Sequence, residues 1–264
     1  METKVQDVCA LMELLAPREL AVPWDNPGLM LGAPEQVVKK IMVSLDLNEE
    51  VADQALEQKV DMIITHHPLF MEGKKSLAVV DDKMAFIYRL IQGQVAVFSA
   101  HTNLDAACGG VNDVLVQLLE LQEAEVFSGG AEDKAGIGRI GMLAKPLTLK
   151  GFAKKVKTAL GAPQVTYVDA GLPVYKVAVV GGAGADFMQA AVVAGADTLV
   201  TGDVKYHGAK DALELGINLI DGTHQFTETP IVGHLAEALT TWATDEGRAL
   251  TVVTASVAPT LQYI

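Results

Sequence analysis

His66, His67, His101, His207 and His224 all fall at or just past runs that read as β-strands, while the sixth histidine, His234, does not. The densest stretch is "DMIITHHPLF", Asp61 to Phe70, in which an apolar run ends in two adjacent imidazoles followed by Pro68. Neighbouring strand positions point to opposite faces. Pro68 biases His67 towards extended backbone, and leaving the regular strand lets both rings turn into one cleft. A lone histidine at a strand end is most simply a hydrogen-bonded, half-buried ring. Two neutral imidazoles converging on one place are natural metal ligands.

Two further stretches offer the rest of such a site. In "FSAHTNLDAACGGVND", His101 and Asp105 follow a strand, and Asp105 is either a turn residue or a hard oxygen ligand. In "INLIDGTHQFTETP" a strand ends at Asp221, turns through Gly222 and offers His224 and Glu228. Four residues apart, these two share one face if the segment is helical. "TGDVKYHG" brings Asp203, Lys205 and His207 to the matching edge of a second unit, and His234 reads as structural or exposed in a helix after Pro230. His66, His67, Asp105, His224 and Glu228 are thus five candidate ligands. A tetrahedral zinc site needs only four, or three plus water when catalytic. Five suit two ions ~3.5–4 Å apart, with a bridging carboxylate and open positions for water. Nitrogen and oxygen donors without thiolate admit zinc, manganese, iron or nickel. His101 and His207 then read as groups that support the ligands or face substrate.

The elements that must hold these residues alternate strand and helix, the pattern of an α/β protein with buried, mostly parallel strands. "KIMVSLDL" predicts a strand and "NEEVADQALEQK" a helix capped by Asn48. "DMIIT" is the next strand, "DKMAFIYRLIQG" a helix closed by Gly93, and "VAVFSAHTNLD" a third strand. "SGGAEDKAGIGR" marks an approximate boundary, giving a first lobe over 1–127, completed by 230–264, and a second over 128–229. The second repeats the grammar: placing Asp197 over Asp61 brings Val179 onto Val43 and Thr201 onto Thr65, with Gly202 and Asp203 where the first lobe has His66 and His67. Between them, "TLKGFAKKVKTALG" predicts a basic amphipathic helix with a solvated lysine face, and "QVTYVD" a strand. Trp24 reads as packing, Cys108 as a small packing residue, and "GGAGAD" lacks the spacing of a nucleotide-binding loop.

Composition narrows the class. The 264 residues carry a formal net charge of −13, which argues against a general nucleic-acid binder but not against a small anion where bound cations reverse the local field. Cys9 and Cys108 are far apart, so no disulfide framework is indicated and a reducing cytoplasm fits. The amino terminus lacks a signal peptide's basic region, and no run approaches the ~18 apolar residues of a membrane span. A soluble protein is expected.

"THHPLF", "HTNLDAACGGVND", "TGDVKYH" and "GTHQFTE", in that order, together with "WDNPGLMLG", resemble the NIF-three-like (YbgI-type) dinuclear-metal-centre family, whose members are often named GTP cyclohydrolase 1 type 2 homologues. The similarity runs over almost the whole chain. It implies two related α/β lobes with a dinuclear metal site in the cleft between them, in a toroidal homohexamer built from dimers. It also implies that His66, His67, Asp105, His224 and Glu228 hold two divalent ions, with Glu228 the bridge. Some relatives carry an inserted middle domain, which a chain of this length is expected to lack, and some have a second histidine where this chain has Thr223. The expected activity is hydrolysis by metal-activated water on a nucleotide or related small molecule, including purine-ring opening of GTP, with His101 or His207 moving the proton. The alternative is a non-catalytic metal-binding nucleotide sensor, metal-handling protein or interaction scaffold.

Overall fold

The computed structural model describes residues 2–128 and 135–262, so residues 129–134 of the expected boundary segment lie outside the described residues. In chain order the first elements are α1 (Val5–Leu15), β1 (Gly28–Leu31), β2 (Lys40–Ser44), α2 (Glu49–Glu57), β3 (Met62–Thr65), α3 (Asp82–Gln92), β4 (Ala96–Ser99) and α4 (Thr102–Ala106). Next come α5 (Val111–Leu118), β5 (Gln122–Phe127), β6 (Gly138–Leu147), α6 (Leu149–Leu160), β7 (Thr166–Val168), β8 (Val174–Val179), α7 (Met188–Val193) and β9 (Thr198–Thr201). The last are α8 (Tyr206–Leu215), β10 (Asn218–Asp221), α9 (His224–Glu228), α10 (Pro230–Asp245) and β11 (Thr251–Thr254). None of the described helices is long and apolar enough to cross a membrane.

The chain forms two compact units, Met1–Leu104 with Ile231–Ala258, and Asp105–Pro230 with Pro259–Ile264. The first contains a five-stranded sheet of order β1-β4-β3-β2-β11. Its four strands β4, β3, β2 and β11 are parallel, and β1 runs antiparallel on the edge. Met42, Ile63 and Val97 from the sheet pack with Val51 and Ala55 of α2 and Phe86, Ile87 and Leu90 of α3. Asn48 caps α2 by accepting from Val51 N at 2.9 Å, and Asp81 caps α3 by accepting from Met84 N at 2.7 Å. Every residue of β3 and β4 is buried, which is why these strands are continuous apolar runs without polar alternation.

The second unit holds a six-stranded sheet of order β5-β6-β8-β9-β10-β7. Only β8-β9-β10 is parallel; β5 with β6, β6 with β8, and β7 with β10 are antiparallel. The expectation of mostly parallel strands therefore fails here. β5 ends at Phe127 and β6 begins at Gly138, too short a link for a crossover helix, so that pair must be antiparallel. The expected break at residue 128 falls inside this unit for the same reason, since β5 belongs to its sheet. Phe152 and Val156 of α6 and Leu115 of α5 pack on Val177, Val179, Val200 and Ile220. Thr148 caps α6, Gly161 ends it in the left-handed region, and Lys150, Lys154 and Lys157 face solvent.

The pairing of Asp61 with Asp197 extends to their bonds. Asp61 Oδ2 accepts from Lys39 N and Lys40 N at 2.7 and 2.9 Å; Asp197 Oδ2 accepts from Tyr175 N and Lys176 N at 2.8 and 2.7 Å. The Asp61 carbonyl then accepts from Ala96 N at the start of β4, and the Asp197 carbonyl from Asn218 N at the start of β10. Each aspartate thus clamps three parallel strands at their amino ends.

Candidate metal centre

In the first unit the parallel register puts Ser44, Thr65 and Ser99 side by side as the last residues of β2, β3 and β4. The segments leaving these strands therefore emerge at one carboxyl edge, the edge at which open α/β sheets place ligands. They carry Asp46, then His66 and His67, then His101. Thr65 Oγ1 lies 2.9 Å from Ser99 Oγ and donates to the His67 carbonyl at 2.8 Å, which pins the turn. Ring centroids are 5.0 Å apart for His66–His67, 5.2 Å for His66–His101 and 5.6 Å for His67–His101. One ring nitrogen from each of the three lies within 4.8 Å of the others.

Each ring is held by its Nδ1. His66 Nδ1 donates to the Ala100 carbonyl at 2.9 Å, His67 Nδ1 to Asp46 Oδ1 at 2.7 Å, and His101 Nδ1 to Asp25 Oδ1 at 2.8 Å. A carbonyl or an ionised carboxylate only accepts, so the proton sits on Nδ1 and the lone pair on Nε2. This is the tautomer that metal ligation through Nε2 requires, set from behind the ring. Asp25 itself has no exposed side-chain area. Burial would raise its pKa, but donation from the His101 ring, the Thr102 hydroxyl and the Asn26 amide outweighs that and holds it at about 2.

In the second unit the matching edge delivers Gly181-Gly182 after β8, Gly202-Asp203 after β9, and Gly222-Thr223 before α9. His224 opens α9 and Glu228 closes it, so the two share a face, with His224 Nε2 3.1 Å from Glu228 Oε2. His224 Nδ1 lies 2.8 Å from Asp203 Oδ2. Hydrogen bonding to Glu228 raises the His224 pKa most; burial opposes this and Asp203 adds to it, leaving the ring at about 9. The field that holds this proton is one that equally favours a divalent cation. A methyl group on Gly182, whose φ is +65°, would stand 2.2 Å from Glu228 Oε1, and one on Gly202 would stand 2.5 Å from His224 N. "GGAGAD" is therefore a turn that makes room for a carboxylate. Thr223 holds φ +67°, strained for a β-branched residue, and its carbonyl accepts from Thr227 N and Thr227 Oγ1.

Asp105, in α4 and buried, is tied into this unit through its backbone. Its carbonyl accepts from Asn112 Nδ2 at 3.2 Å, and Asn112 Oδ1 accepts from Gly181 N at 2.8 Å. Arg139 Nη2 holds the next two carbonyls, Ala106 and Ala107, at 2.9 and 3.1 Å. The donor set, imidazole Nε2 atoms with carboxylates and no thiolate, suits a borderline or hard divalent ion.

Some expected residues stand differently. His207 lies inside α8, exposed, its ring 5.4 Å from that of Tyr206, on a cavity of about 330 Å³ that Asp203 and Lys205 also line. His234 is half-buried in α10. Trp24 is not packing: it is 56 % exposed, and its ring meets that of His101 edge-on at 6.0 Å. Cys108 is exposed as well. Sequence reasoning missed Asp25 and Asp46 as the groups that orient His101 and His67. Asp46 had one available signal, its place two residues past a strand end, like His67.

A family model described as Duf34/NIF3 (NGG1p interacting factor 3) matches residues 3–260. A Clostridium acetobutylicum protein named GTP cyclohydrolase 1 type 2 homolog is 37 % identical over 243 residues, covering 90 % of each chain. A Clostridium perfringens protein of the same name is 36 % identical over 237 residues, covering 89 % of this chain and 90 % of its own. The crystal structure of Staphylococcus aureus hypothetical protein SA1388 is similar with a TM-score of 0.91 and 29 % identity over 99 % of both chains. With a family match along nearly its full length and relatives of such identity, this chain belongs to the Duf34/NIF3 family.

Proposed function

We propose that this protein is a dinuclear metal-dependent hydrolase. His66, His67, Asp105, His224 and Glu228 would be the ligands, with Glu228 shared between the two ions. The observation that supports this most is the common anchoring of His66, His67 and His101 through Nδ1, which turns three Nε2 lone pairs into one small space. Two divalent ions bound there would supply Lewis acidity and a nucleophilic water at neutral pH.

The protein's own contribution is proton handling and orientation. His101 presents Nε2 as a base, and Asp25, ionised down to a pKa of about 2, stabilises the imidazolium that forms. His207, exposed beside Lys205, is the group proposed to face substrate. The relatives' name points to a purine nucleotide such as GTP. The protein then acts as a homohexamer, and light scattering that finds a monomer at micromolar concentration refutes that assembly.

The test couples elemental analysis of the purified protein to a substrate screen over GTP, phosphodiesters and amides. We expect about two divalent ions per chain, and their loss with retained fold in His67→Ala/Asp105→Ala. Unchanged metal content in that variant overturns the ligand set. A fully loaded protein without turnover on any probe favours the metal-binding sensor over the hydrolase.

A further inference from the structure

We propose that the cleft of the first unit between Arg18, Asn26, Phe70 and Lys74 binds the phosphate group of a small aromatic substrate. The cleft has a volume of about 280 Å³, near the lower end for ligand sites and enough for a phosphate with part of its organic body. Lys74 Nζ stands 5.6 Å from the Phe70 ring centroid and Lys83 Nζ 5.9 Å from the same centroid. Two ammonium groups thus share one aromatic ring, and the Arg18 side chain borders the same space. In a chain of net charge −13, three cations gathered at one place oppose the average field, an arrangement that a bound anion stabilises.

The local electrostatics agree. Burial lowers the Lys83 pKa first, and the charge of Lys74 lowers it further, with Asp81 acting the other way. One carboxylate, Glu72, also lines the cleft. Among the described residues, no ion pair within 4.0 Å engages the side chains of Arg18, Lys74 or Lys83. The Arg18 guanidinium is suited to bidentate contact with phosphate, and the lysines act as point charges.

The cleft is joined to the imidazoles by covalent neighbours. Asn26, whose Nδ2 donates to the Phe70 carbonyl at 2.7 Å, directly follows Asp25, the partner of His101. Phe70 lies three residues after His67. Trp24, exposed against the His101 ring, offers an indole face on which an aromatic ligand can stack. That the bound molecule is the substrate rests on the proposed hydrolase function; that the cleft takes a phosphate does not.

The experiment uses the full chain stripped of metal by chelation and carrying Trp242→Phe, so that Trp24 is the single indole reporter of the two tryptophans. Inorganic pyrophosphate is titrated while Trp24 fluorescence is followed. We expect saturable binding that weakens with salt, at least about tenfold weaker in Arg18→Gln/Lys74→Gln, and unchanged in the surface control Lys150→Gln. Lys74→Glu, a single change in an exposed side chain, gives the same test if the double variant does not fold. No saturable binding, or equal binding by the variants, overturns the proposal. Metal content is measured separately, so a failed ligand set and a failed phosphate cleft are told apart.

Discussion

Asp25→Asn replaces a buried acceptor by a side chain of equal size, and the structure says what it costs. Oδ1 of Asp25 receives the Asn26 amide at 2.7 Å and His101 Nδ1 at 2.8 Å; Oδ2 receives the Thr102 amide at 3.0 Å and the Thr102 hydroxyl at 2.5 Å. All four partners are donors. The Thr102 hydroxyl cannot turn about freely, because it already accepts from Val22 N at 3.1 Å. An asparagine amide must therefore point its NH2 at a backbone N–H whichever way it lies, that of Asn26 or that of Thr102. Holding the carboxyl at about 2 instead of 3.8 corresponds to about 2 kcal/mol of stability. With one backbone donor left facing a donor, the total is about 3–5 kcal/mol. The folded pKa is the lower one, so this contribution is complete above the unfolded value and is lost as pH falls towards the folded value. Roughly 1 kcal/mol should be gone by pH 3. Urea unfolding of the metal-free protein at fixed concentration measures it: the gap between wild type and Asp25→Asn should be widest near pH 7 and narrow on acidification. A gap under about 1 kcal/mol at pH 7, or one that does not shrink by pH 3, refutes the reasoning.

Under the proposed two-ion site, Glu228→Gln would keep size but remove the charge that offsets repulsion between the two dications, so metal titration should show the second ion lost, whereas His234→Ala should retain both. Gly182→Ala pushes a methyl to within 2.2 Å of Glu228 Oε1 at a φ of +65°, and should cost about 1 kcal/mol or more in denaturant melts along with weaker metal binding. The His224 pKa is raised from 6.5 to about 9, so in metal-free protein its stabilisation is present below 6.5 and lost as pH rises through 9. That slope should vanish in His224→Gln, which denaturation at pH 6.5 and 9.5 checks.

Local features were legible where one segment decides them. The apolar run into His66-His67, the Asn48 cap and the i, i+4 pair of His224 and Glu228 all follow from short-range periodicity, and all three elements form. Partners chosen by register were not legible. Asp25 and His101 are 76 residues apart, and nothing local to "WDNPG" says that its carboxylate will sit behind an imidazole. The same holds for the lobe boundary: composition changes near Ser128, but pairing of β5 with β6 decides where the chain belongs. Trp24 was misjudged because size alone suggests burial, while its exposure is set by the loop between α1 and β1.

The twin aspartates at positions 61 and 197 separate the frame of each sheet from the donors it carries. Each fastens its three strands at their amino ends, while every candidate ligand in the strand exits stands at the opposite end. The exits themselves differ: His66-His67 stand where the second unit has Gly202-Asp203, and the Gly202 position leaves no room for a side chain beside His224 N. The two parallel sets are thus framed alike at one end while their exits differ, two imidazoles after β3 and a glycine with a carboxylate after β9.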